Sequence, residues 1–406
     1  MADTASKLTV SELDFDTIKT NLKNFLGDQN ELTDYNFDGS TMSILLDLMA
    51  YNTHYNAFYL NMAVNETFLD TASVRNSVVS RAKHLGYTPT SVLGGKAYVD
   101  LTIYPTDSPS TITIAKSTQF TSTVNGISYV FSTSGSTSVS VDADGAYTTA
   151  NVELSQGIPL SHRYTANTND PDQGFFLPNA NTDTSTLVVQ VQTSATVTNT
   201  YTYSVANDTT TVNSTANVYF LEEAENGKYE VLFGDDVTGR KLTSGNIVIL
   251  TALVADSTDP NGAKVFTATS GVGGYSNVTV STLSTSSGGA ARDSLTNIKF
   301  NAPRSYQAQN RAVTADDYKV RITTDYPNVD AVRVWGGEDN DPPDYGAVYI
   351  SIKPKTGYIL TDVEKNSIIM TGSVLTKSTV AFHTYAGIPA KDVTEKLHQS
   401  CDALSF

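Results

Sequence analysis

The sequence predicts an α+β protein in which a helical segment, a β-rich centre and a small mixed region follow one another along the chain. Residues 1–95 carry apolar side chains at helical spacing, whereas residues 96–285 are rich in Thr, Ser, Val and Asn and alternate apolar with polar positions. We therefore expect a helical bundle region at 1–95 and one or two antiparallel β domains at 96–285. A mixed α/β domain is expected at 286–388, and a C-terminal helix or tail at 389–406.

The composition excludes several classes of partner. The 406 residues carry 26 Lys and Arg against 42 Asp and Glu, a net charge of −16, so the chain repels phosphate backbones and no nucleic acid is expected. The single cysteine, Cys401, excludes an internal disulfide. The most apolar run, at 42–50, is too short to span a bilayer and contains Asp47, so no membrane contact is expected. We expect a soluble product that is made or assembled inside a cell.

Helix signals divide the N-terminal region into three helices. The first follows Asp14, a predicted N-cap, and stops at Gly27. The second covers about residues 40–64, where apolar positions recur at spacings of three and four. The third is expected to begin at Asp70 and to stop at Gly86.

The second of these helices carries a heptad seam, which we interpret as a partner-binding surface. The seam residues are Leu45, Leu48, Asn52, Tyr55, Tyr59 and Met62. A second apolar flank is formed by Leu46, Met49, Leu60 and Ala63. Two interpretations remain open: the helix joins a bundle with other chains, or it packs only against the neighbouring helices of its own chain.

Turn and cap signals organise the remaining regions. Asn125-Gly126 and Asn226-Gly227 stand between strand-like runs and predict hairpin turns. In the mixed region, Thr314 and Asp317 have the spacing of a capping box at the start of a helix. Two strands are predicted after it, near 329–334 and 347–354, so this region is expected to be a small sandwich of strands covered by helices.

The stretch FNAPRSYQAQNRAVTADDY, at 300–318, is predicted to be a structural joint between two helices. Pro303 is expected to end the first helix, because the residue before a proline avoids the helical region. Arginine's planar fork suits the fixing of carbonyls or acids in such a joint. The joint residues are Arg304, Gln309, Asn310, Arg311, Thr314 and Asp317. A solvent-facing linker is the alternative.

No pattern of catalytic or metal-binding residues stands out, so no catalytic, cofactor or metal residues are predicted. The five histidines include no H-x-x-x-H pair, and there is no C-x-x-C, G-x-S-x-G or P-loop pattern. Asp235 and Asp236 are the most tempting pair of carboxylates. Adjacent residues point apart on a strand or turn, however, and this pair suits a turn better than a catalytic dyad.

Three blocks taken together resemble a known family. They are residues 45–97, which contain NETFLDTASVRNSVVSRAKHLGYTPT; residues 229–250, YEVLFGDDVTGRKLTSGNIVIL; and residues 298–354, which begin IKFNAPRSYQAQNRAVTADDYKVR. In order and spacing they resemble the baseplate wedge proteins of contractile-tailed, T-even-like phages, the baseplate J-like family. The turn after Phe233 reads Gly-Asp-Asp where the family often has Gly-Asp-Gly, and the resemblance ends after Val380.

The resemblance implies structural work and no enzymatic reaction. It implies a heterotrimeric wedge, made of two copies of this chain and another baseplate wedge protein. Neighbouring wedges would form a ring around the central hub, contact the sheath-initiating proteins and transmit the trigger to sheath contraction. The expected location is the tail baseplate of a virion, assembled in the host cytoplasm, and the resemblance favours the intermolecular bundle for the second helix.

Two other functions remain as alternatives. One is a tail-associated enzyme that cleaves polysaccharide, which would bring two carboxylates together in a cleft. The other is a receptor-binding adhesin built on the Thr- and Ser-rich strands, which would bind cells in isolated form. A wedge protein is expected to do neither.

Overall fold

The structure, a computed structural model, follows the predicted order of elements. It describes residues 14–28, 40–142, 145–170, 173–206, 212–224, 227–309, 311–325, 329–346, 348–354, 385–386 and 391–392. Helices come first, a long series of strands follows, and two helices with a strand pair come after it. This arrangement confirms the predicted α+β class.

The described chain divides into two compact units. The first contains helices α1 (Phe15–Gly27), α2 (Thr41–Asn65) and α3 (Arg75–His84), together with Leu295–Lys299, the first residues of helix α4. The second contains the rest of α4 (Leu295–Ala308), helix α5 (Ala315–Asp325) and the strands.

Side-chain caps begin the first two helices. The Asp14 carboxylate accepts a hydrogen bond from the Thr17 backbone N–H at 2.8 Å, as predicted for an N-cap. The Ser40 hydroxyl accepts one from the Ser43 N–H at 3.0 Å. The starting point of α2 is therefore set by local chemistry that the sequence displays.

The third helix begins at Arg75, so the prediction that it begins at Asp70 is wrong. The carboxylate of Glu66 accepts hydrogen bonds from the N–H of Ser73, at 2.8 Å, and from that of Val74, at 3.2 Å. These bonds hold the chain after α2 in turns and satisfy N–H groups just before α3. The chain before α3 is thus held by a side chain seven and eight positions away rather than by a side-chain cap on the helix itself, and spacing rules for neighbouring residues do not detect such a contact.

The strands of the described residues fill most of the second unit. In chain order they are β1 (Lys96–Ile103), β2 (Thr111–Ile114), β3 (Gln119–Val124), β4 (Ile127–Thr133), β5 (Thr137–Ser140), β6 (Tyr147–Gln156), β7 (Ile158–Thr165), β8 (Phe175–Leu177), β9 (Thr182–Gln192), β10 (Thr200–Val205), β11 (Val218–Glu223), β12 (Tyr229–Phe233), β13 (Ile247–Val254), β14 (Thr267–Ala268), β15 (Val278–Ser287), β16 (Val329–Gly336), β17 (Val348–Pro354), β18 (Tyr385–Ala386) and β19 (Lys391–Asp392).

The first large sheet has six strands in the order β14-β3-β4-β6-β1-β15, with antiparallel neighbours. Burial alternates along β1, as expected for a strand with one face on a core. The core residues include Val99, Leu101, Ile103, Phe120, Phe131 and Leu154. The short pair β2–β5 contributes Ile112, Ile114 and Val139 to the same core.

The second large sheet has seven strands in the order β7-β13-β9-β10-β11-β12-β8. It has its own core, which includes Leu177, Val189, Tyr229, Val231, Val248 and Leu250. Its neighbours are antiparallel except β10 and β11, which run parallel. The central region is therefore rich in antiparallel strands, as predicted, and β10–β11 is the one parallel pairing of this sheet.

Buried polar contacts join the two sheets. The carboxylate of Asp183, in β9, accepts a hydrogen bond at 3.0 Å from the N–H of Gly94, just before β1. The Gln156 amide, at the end of β6, donates to the Asp256 carboxylate at 2.7 Å and accepts from the Asp256 N–H at 2.9 Å. Burial raises the pKa of Asp183, although its N–H donors oppose that effect.

The predicted turn at Asn125-Gly126 is confirmed. It connects β3 to β4, and both residues have positive φ, 52° and 83°, as a tight hairpin turn requires. At the second predicted turn Asn226 lies outside the described residues. Gly227 has φ 72° and stands between the antiparallel strands β11 and β12.

The small C-terminal region places α5 against the antiparallel pair β16–β17. Its core consists of Tyr318, Ile322, Val329, Val334 and Ile350. The helix or tail predicted at 389–406 lies mostly outside the described residues. The two residues that are described there, Lys391–Asp392, form a strand with β18 rather than a helical turn.

Candidate partner-binding surface

The inward side of α2 is small and polar. Its buried residues are Ser43, Leu46, Ala50, Ala57, Asn61 and Asn65. Their spacing places them on one face of the helix, since residues three, four and seven apart lie above one another. Leu46 is the only large apolar side chain among them. This face therefore allows close packing within the first unit but provides little hydrophobic stabilisation.

The buried polar groups of this face are satisfied inside the chain. The Asn61 amide donates to the Ala57 carbonyl at 2.9 Å, and the Asn65 amide donates to the Asn61 carbonyl at 2.7 Å. The hydroxyl of Thr71 donates to the Asn65 carbonyl at 2.6 Å. Because these bonds remove the cost of burying the amides, the face is complete as it stands.

The outward side of α2 carries the large apolar residues. All six seam residues are exposed, with Leu48 at 63% and Tyr59 at 60% of full exposure. Met49, Leu60 and Ala63 of the predicted flank are exposed as well, whereas Leu46 is buried at 3%. In the described residues the helices of the same chain leave the seam exposed, and the partner-binding role of the seam stays a prediction.

The exposed face is wider than the seam. Ile44, Tyr51 and Phe58 are exposed beside it, and the sequence interpretation missed them. Viewed down the helix axis, with about 100° between successive residues, the exposed apolar side chains cover an arc of roughly 200°. Phe58 lies at one edge of this arc and Leu60 at the other. A helix on a protein surface commonly buries a stripe of about 100°, so the arc is wide enough for two neighbouring helices.

Aromatic rings line the centre of the exposed face. The ring of Tyr55 lies 4.6 Å from that of Tyr51 and 6.4 Å from that of Tyr59, measured between centroids. A hydrogen bond with Tyr55 raises the pKa of the Tyr51 hydroxyl, so this group stays neutral and adds no charge to the face. The polar interruption is Asn52, whose side-chain carbonyl accepts from the Asn56 amide at 2.6 Å.

At the predicted joint, α4 continues through Pro303 to Ala308, so the prediction that Pro303 ends the helix is wrong. A proline inside a helix removes one N–H and disturbs the carbonyls of the preceding turn. Here the Arg304 guanidinium donates to the Phe300 carbonyl at 2.7 Å and lies 3.5 Å from the centre of the Phe300 ring. These contacts supply a donor and a cation–π interaction next to the proline.

The helix ends instead at Ala308, and the next residue, Gln309, has φ 47° and turns the chain. The Arg311 N–H donates to the Ala308 carbonyl at 2.8 Å, and the Arg311 guanidinium donates to the Gln309 side-chain oxygen at 2.6 Å. Arg311 is exposed, and its guanidinium bonds the side chain of Gln309 rather than the buried acceptor expected for a joint. Asn310 lies outside the described residues.

The predicted capping box starts α5. The Thr314 N–H donates to the Asp317 carboxylate at 2.8 Å, and the Asp317 N–H donates to the Thr314 hydroxyl at 3.2 Å. The bond from the Thr314 N–H is the main reason that the pKa of Asp317 lies below its usual value. The ionised Asp317 therefore stabilises the folded state at neutral pH, and this contribution is lost as the pH falls through the lowered pKa.

Thr314→Ala is expected to destabilise the protein by about 1 kcal/mol, because the substitution removes the hydroxyl that accepts the Asp317 N–H. Urea unfolding followed by circular dichroism measures the change. Thr314→Ser keeps the acceptor and is expected to unfold within about 0.5 kcal/mol of the wild type. Equal losses in the two variants would show that the hydroxyl does not act as a cap.

The described part of the chain gives little support for a metal site, a membrane span or a catalytic pair of carboxylates. It contains no group of three or more His, Cys, Asp or Glu side chains placed to hold a metal ion. No helix in it is long and apolar enough to cross a membrane. Asp235 accepts from the N–H groups of Val237 and Thr238, while Asp236, at φ 70°, accepts from that of Lys241. The two carboxylates thus cap a turn.

Comparison with known proteins relates two segments of the chain to one protein family. Residues 14–87 match the family "Baseplate wedge protein gp6-like, helical domain", and residues 314–381 match "Baseplate structural protein gp6, C-terminal domain I". The chain is 27% identical over 383 residues to the baseplate wedge protein gp6 of Enterobacteria phage T4. This alignment covers 87% of the chain and 56% of the relative, so the chain spans little more than half of the relative's length.

A cryo-EM structure of the anti-feeding prophage baseplate contains a chain that aligns with 86% of this one and is itself covered over 72% of its length. The identity is 14%, and the TM-score, 0.29, is too low to indicate a shared arrangement of the whole chain. None of these matches confirms the narrower baseplate J-like assignment. The predicted resemblance to phage baseplate wedge proteins is confirmed, and it rests on the helical segment that contains α2 and on the segment that begins at Thr314.

Proposed function

We propose that this chain is a structural subunit of the baseplate wedge of a contractile phage tail, located in the virion's tail baseplate and assembled in the host cytoplasm. The observation that supports this proposal most strongly is the distribution of side chains on α2. Its small, polar face lies inside the chain, and its large, apolar face lies outside. Exposed apolar surfaces of this extent are typical of interaction sites, and this one belongs to the segment that matches the helical domain of wedge proteins.

The proposed partners of α2 are the same helix in a second copy of this chain and a helix of another baseplate wedge protein. The apolar arc of roughly 200° fits two neighbouring helices rather than one. The seam spacing is that of a coiled coil, and the Asn52–Asn56 pair is a polar interruption of the kind that fixes register and partner number.

Neighbouring wedges, the central hub and the sheath-initiating proteins are further proposed partners, and transmission of the trigger to sheath contraction is the proposed role of the ring. These proposals rest on the resemblance. In this scheme residues 1–95 form the bundle region, 96–285 the β-rich body and 286–388 a mixed domain, with 389–406 as a C-terminal helix or tail. The segment around Arg304 and Arg311 is the proposed joint between α4 and α5.

We further propose that the chain catalyses no reaction. The turn bonds made by Asp235 and Asp236 support this view over the polysaccharide-cleaving alternative. The exposed apolar face of α2 favours a wedge over an adhesin, because an adhesin that binds through its strands would leave this face exposed to solvent. Release of reducing sugar ends by the purified chain, or its binding to host cells, would favour the respective alternative.

The double variant Leu48→Asp, Tyr55→Asp is expected to abolish copurification with the proteins encoded by neighbouring tail genes when they are co-expressed with this chain. Two carboxylates in the centre of the apolar face would have to be buried without partners, which costs several kcal/mol or blocks binding. Both residues are exposed in the single chain, so the variant is expected to fold.

Thr53→Asp is the matched control. Thr53 is an exposed residue of the same helix, and at about 100° per residue it lies at the margin of the apolar arc. The control is expected to copurify as the wild type does. Unfolding of the β sheets, followed by circular dichroism, should be the same in all three proteins. Binding that survives the double variant would place the assembly surface elsewhere.

A further inference from the structure

A cavity of about 230 Å³ lies between the two large sheets of the second unit. One wall consists of residues of the six-stranded sheet and of the turn between β2 and β3, and the other of residues of β7, β9 and β13. The volume is below the roughly 300–1,000 Å³ of cofactor sites, so the cavity suits a small group such as the end of one side chain.

The two walls differ in chemistry. The first contributes three charged residues, Lys96, Lys116 and Glu153. The second contributes the apolar Leu187 and Leu253 among hydroxyl-bearing residues. A group with both a charged and an apolar part would therefore find suitable contacts on the two sides of the cavity.

The acid of the cavity is satisfied within the chain. The Glu153 carboxylate accepts hydrogen bonds at 2.9 Å from the hydroxyls of Ser134 and Tyr98, and it lies 3.1 Å from the Lys96 ammonium. Burial opposes the charge on Glu153, but Lys96 and these hydroxyls keep its pKa below the usual value. Because Glu153 and Lys96 offset one another, the charge left over in the cavity is that of Lys116.

Lys116 and Ser117 offer donors that nothing in the described part of the chain uses. The Lys116 side chain is exposed and makes no ion pair or hydrogen bond there, and the Ser117 hydroxyl makes no hydrogen bond. Other hydroxyls of the cavity are already bonded, such as that of Thr186, which accepts from the Leu253 N–H at 2.9 Å. The two unused donors are consecutive in the chain, and both residues line the cavity.

The backbone at Ser117 is held in an unusual conformation. Ser117 has φ 66° and occupies the third position of the turn at 115–118, where glycine is usual. Thr133 fixes this turn. Its carbonyl accepts from the Ser117 N–H at 2.9 Å, and its hydroxyl accepts from the Thr118 N–H at 2.9 Å and donates to the Ala115 carbonyl at 2.8 Å. Strained residues that their surroundings hold in place are common at binding sites.

An anion is the ligand that these groups fit. A hydrogen bond from an ammonium group to a carboxylate is stronger than one between neutral groups. One unpaired positive charge balances one carboxylate, whereas a phosphate group, with a charge of about −1.5 to −2, would remain partly unpaired. In a chain of net charge −16, the cavity is a place where an anion is attracted rather than repelled.

We propose that this cavity binds a carboxylate carried on a short apolar stem, as at the end of a glutamate side chain. Lys116 supplies the charge, Ser117 supplies a hydroxyl donor, and the apolar residues of β9 and β13 contact the stem. A glutamate of a neighbouring baseplate protein and a free small carboxylate share this chemistry. Binding of the carboxylate itself does not depend on the proposed function, whereas a source in a neighbouring protein rests on it.

The first test uses butyrate, a carboxylate on a short alkyl stem, and the full isotope-labelled chain. NMR titration is expected to show saturable shifts of the backbone amide signals of Lys116 and Ser117, with a dissociation constant in the millimolar range. Butylamine, which has a similar stem and the opposite charge, is expected to shift neither signal.

Lys116→Gln is expected to raise the dissociation constant for butyrate at least about ten-fold, because it removes the unpaired charge. Lys264→Gln is the matched control. Lys264 is an exposed lysine of the same unit that does not line the cavity, and this variant is expected to bind butyrate as the wild type does.

Ser117→Gly separates binding from folding. Glycine adopts a positive φ without strain, so this variant is expected to melt no lower than the wild type. It lacks the hydroxyl donor, however, and is expected to bind butyrate several-fold more weakly. A substitution that relaxes the backbone and still weakens binding would not be expected if Ser117 had only a structural role.

Cross-linking distinguishes the two sources of the carboxylate. A carbodiimide joins a lysine amine and a contacting carboxylate as an amide and takes up the released water as a urea. In a complex with co-expressed tail proteins, a cross-link from Lys116 to a glutamate of another protein, suppressed by excess butyrate, would identify that side chain as the ligand. Butyrate binding without such a cross-link would assign the site to a free small carboxylate.

Three results would overturn the proposal. They are an absence of saturable shifts with butyrate, equal shifts with butyrate and butylamine, and equal affinity for butyrate in Lys116→Gln and Lys264→Gln. The NMR titration uses no partner protein, and no residue of α2 lines the cavity. A failure of α2 to bind tail proteins would therefore leave the butyrate result unchanged, so the two proposals can fail separately.

Discussion

Gly94→Ala is expected to destabilise the second unit by about 3 kcal/mol or more, because the added methyl group has no space. Its Cβ would overlap the backbone carbonyl oxygen of Gln156. That carbonyl has little freedom to move, since the Gln156 N–H donates to the Gly95 carbonyl at 2.8 Å and the Gln156 side chain is bonded to Asp256. The substitution therefore strains the place where the two sheets meet.

Gly135→Ala is the control for this experiment. A Cβ at Gly135 meets no atom within 4 Å, and this glycine is not among those with positive φ. It is expected to change the free energy of unfolding by less than about 0.5 kcal/mol. Urea unfolding measures both variants, and an unchanged midpoint for Gly94→Ala would show that the contact between the sheets is loose.

Phe131→Ala is expected to cost about 3–5 kcal/mol, the range for deleting a buried aromatic ring. The side chain is fully buried in the core of the six-stranded sheet and meets the ring of Phe266 edge-on at 5.0 Å between centroids. Because the surrounding strands are paired on both sides, the core cannot close over the cavity. Calorimetry and urea unfolding of the isolated chain measure the loss.

Phe58→Ala deletes the same ring from the exposed face of α2. In the isolated chain it is expected to leave unfolding almost unchanged, since Phe58 is already 49% exposed. Its effect should appear in assembly, where loss of a buried aromatic ring weakens binding. A large loss of stability in Phe58→Ala, or a small one in Phe131→Ala, would contradict this division between core and interface.

Local signals in the sequence predicted the starts of several elements correctly. Asp14 and the pair Thr314–Asp317 act as caps, and Asn125-Gly126 forms the turn that its residue types favour. In each of these cases the residues that determine the structure lie within four positions of one another. The apolar spacing of α2 was likewise visible, because it depends on positions within one helix, and its role as a partner-binding seam stays a prediction.

Predictions failed where the deciding contact came from elsewhere in the chain or from an unusual side chain. Glu66 bonds the N–H groups just before α3, and α4 continues through Pro303, beside which Arg304 contacts Phe300. Strand order was also beyond reach, since β1 pairs with β15 far along the chain. For α2, the spacing predicted two apolar flanks, but it did not predict which side of the helix is buried within the chain. The buried side consists mainly of small and polar residues, whereas burial is usually expected for large apolar ones.

The outward position of the large side chains on α2 has a consequence for how the number of subunits is controlled in the cell. If the proposed bundle forms, a copy without its partners exposes apolar surface of the kind on which chaperones and proteases act, whereas an assembled copy buries that surface. Binding removes the free subunit from this pool by mass action. Surplus copies are thus expected to be degraded faster than assembled ones, so that the amount of the scarcer partner sets the amount of this chain that persists during infection.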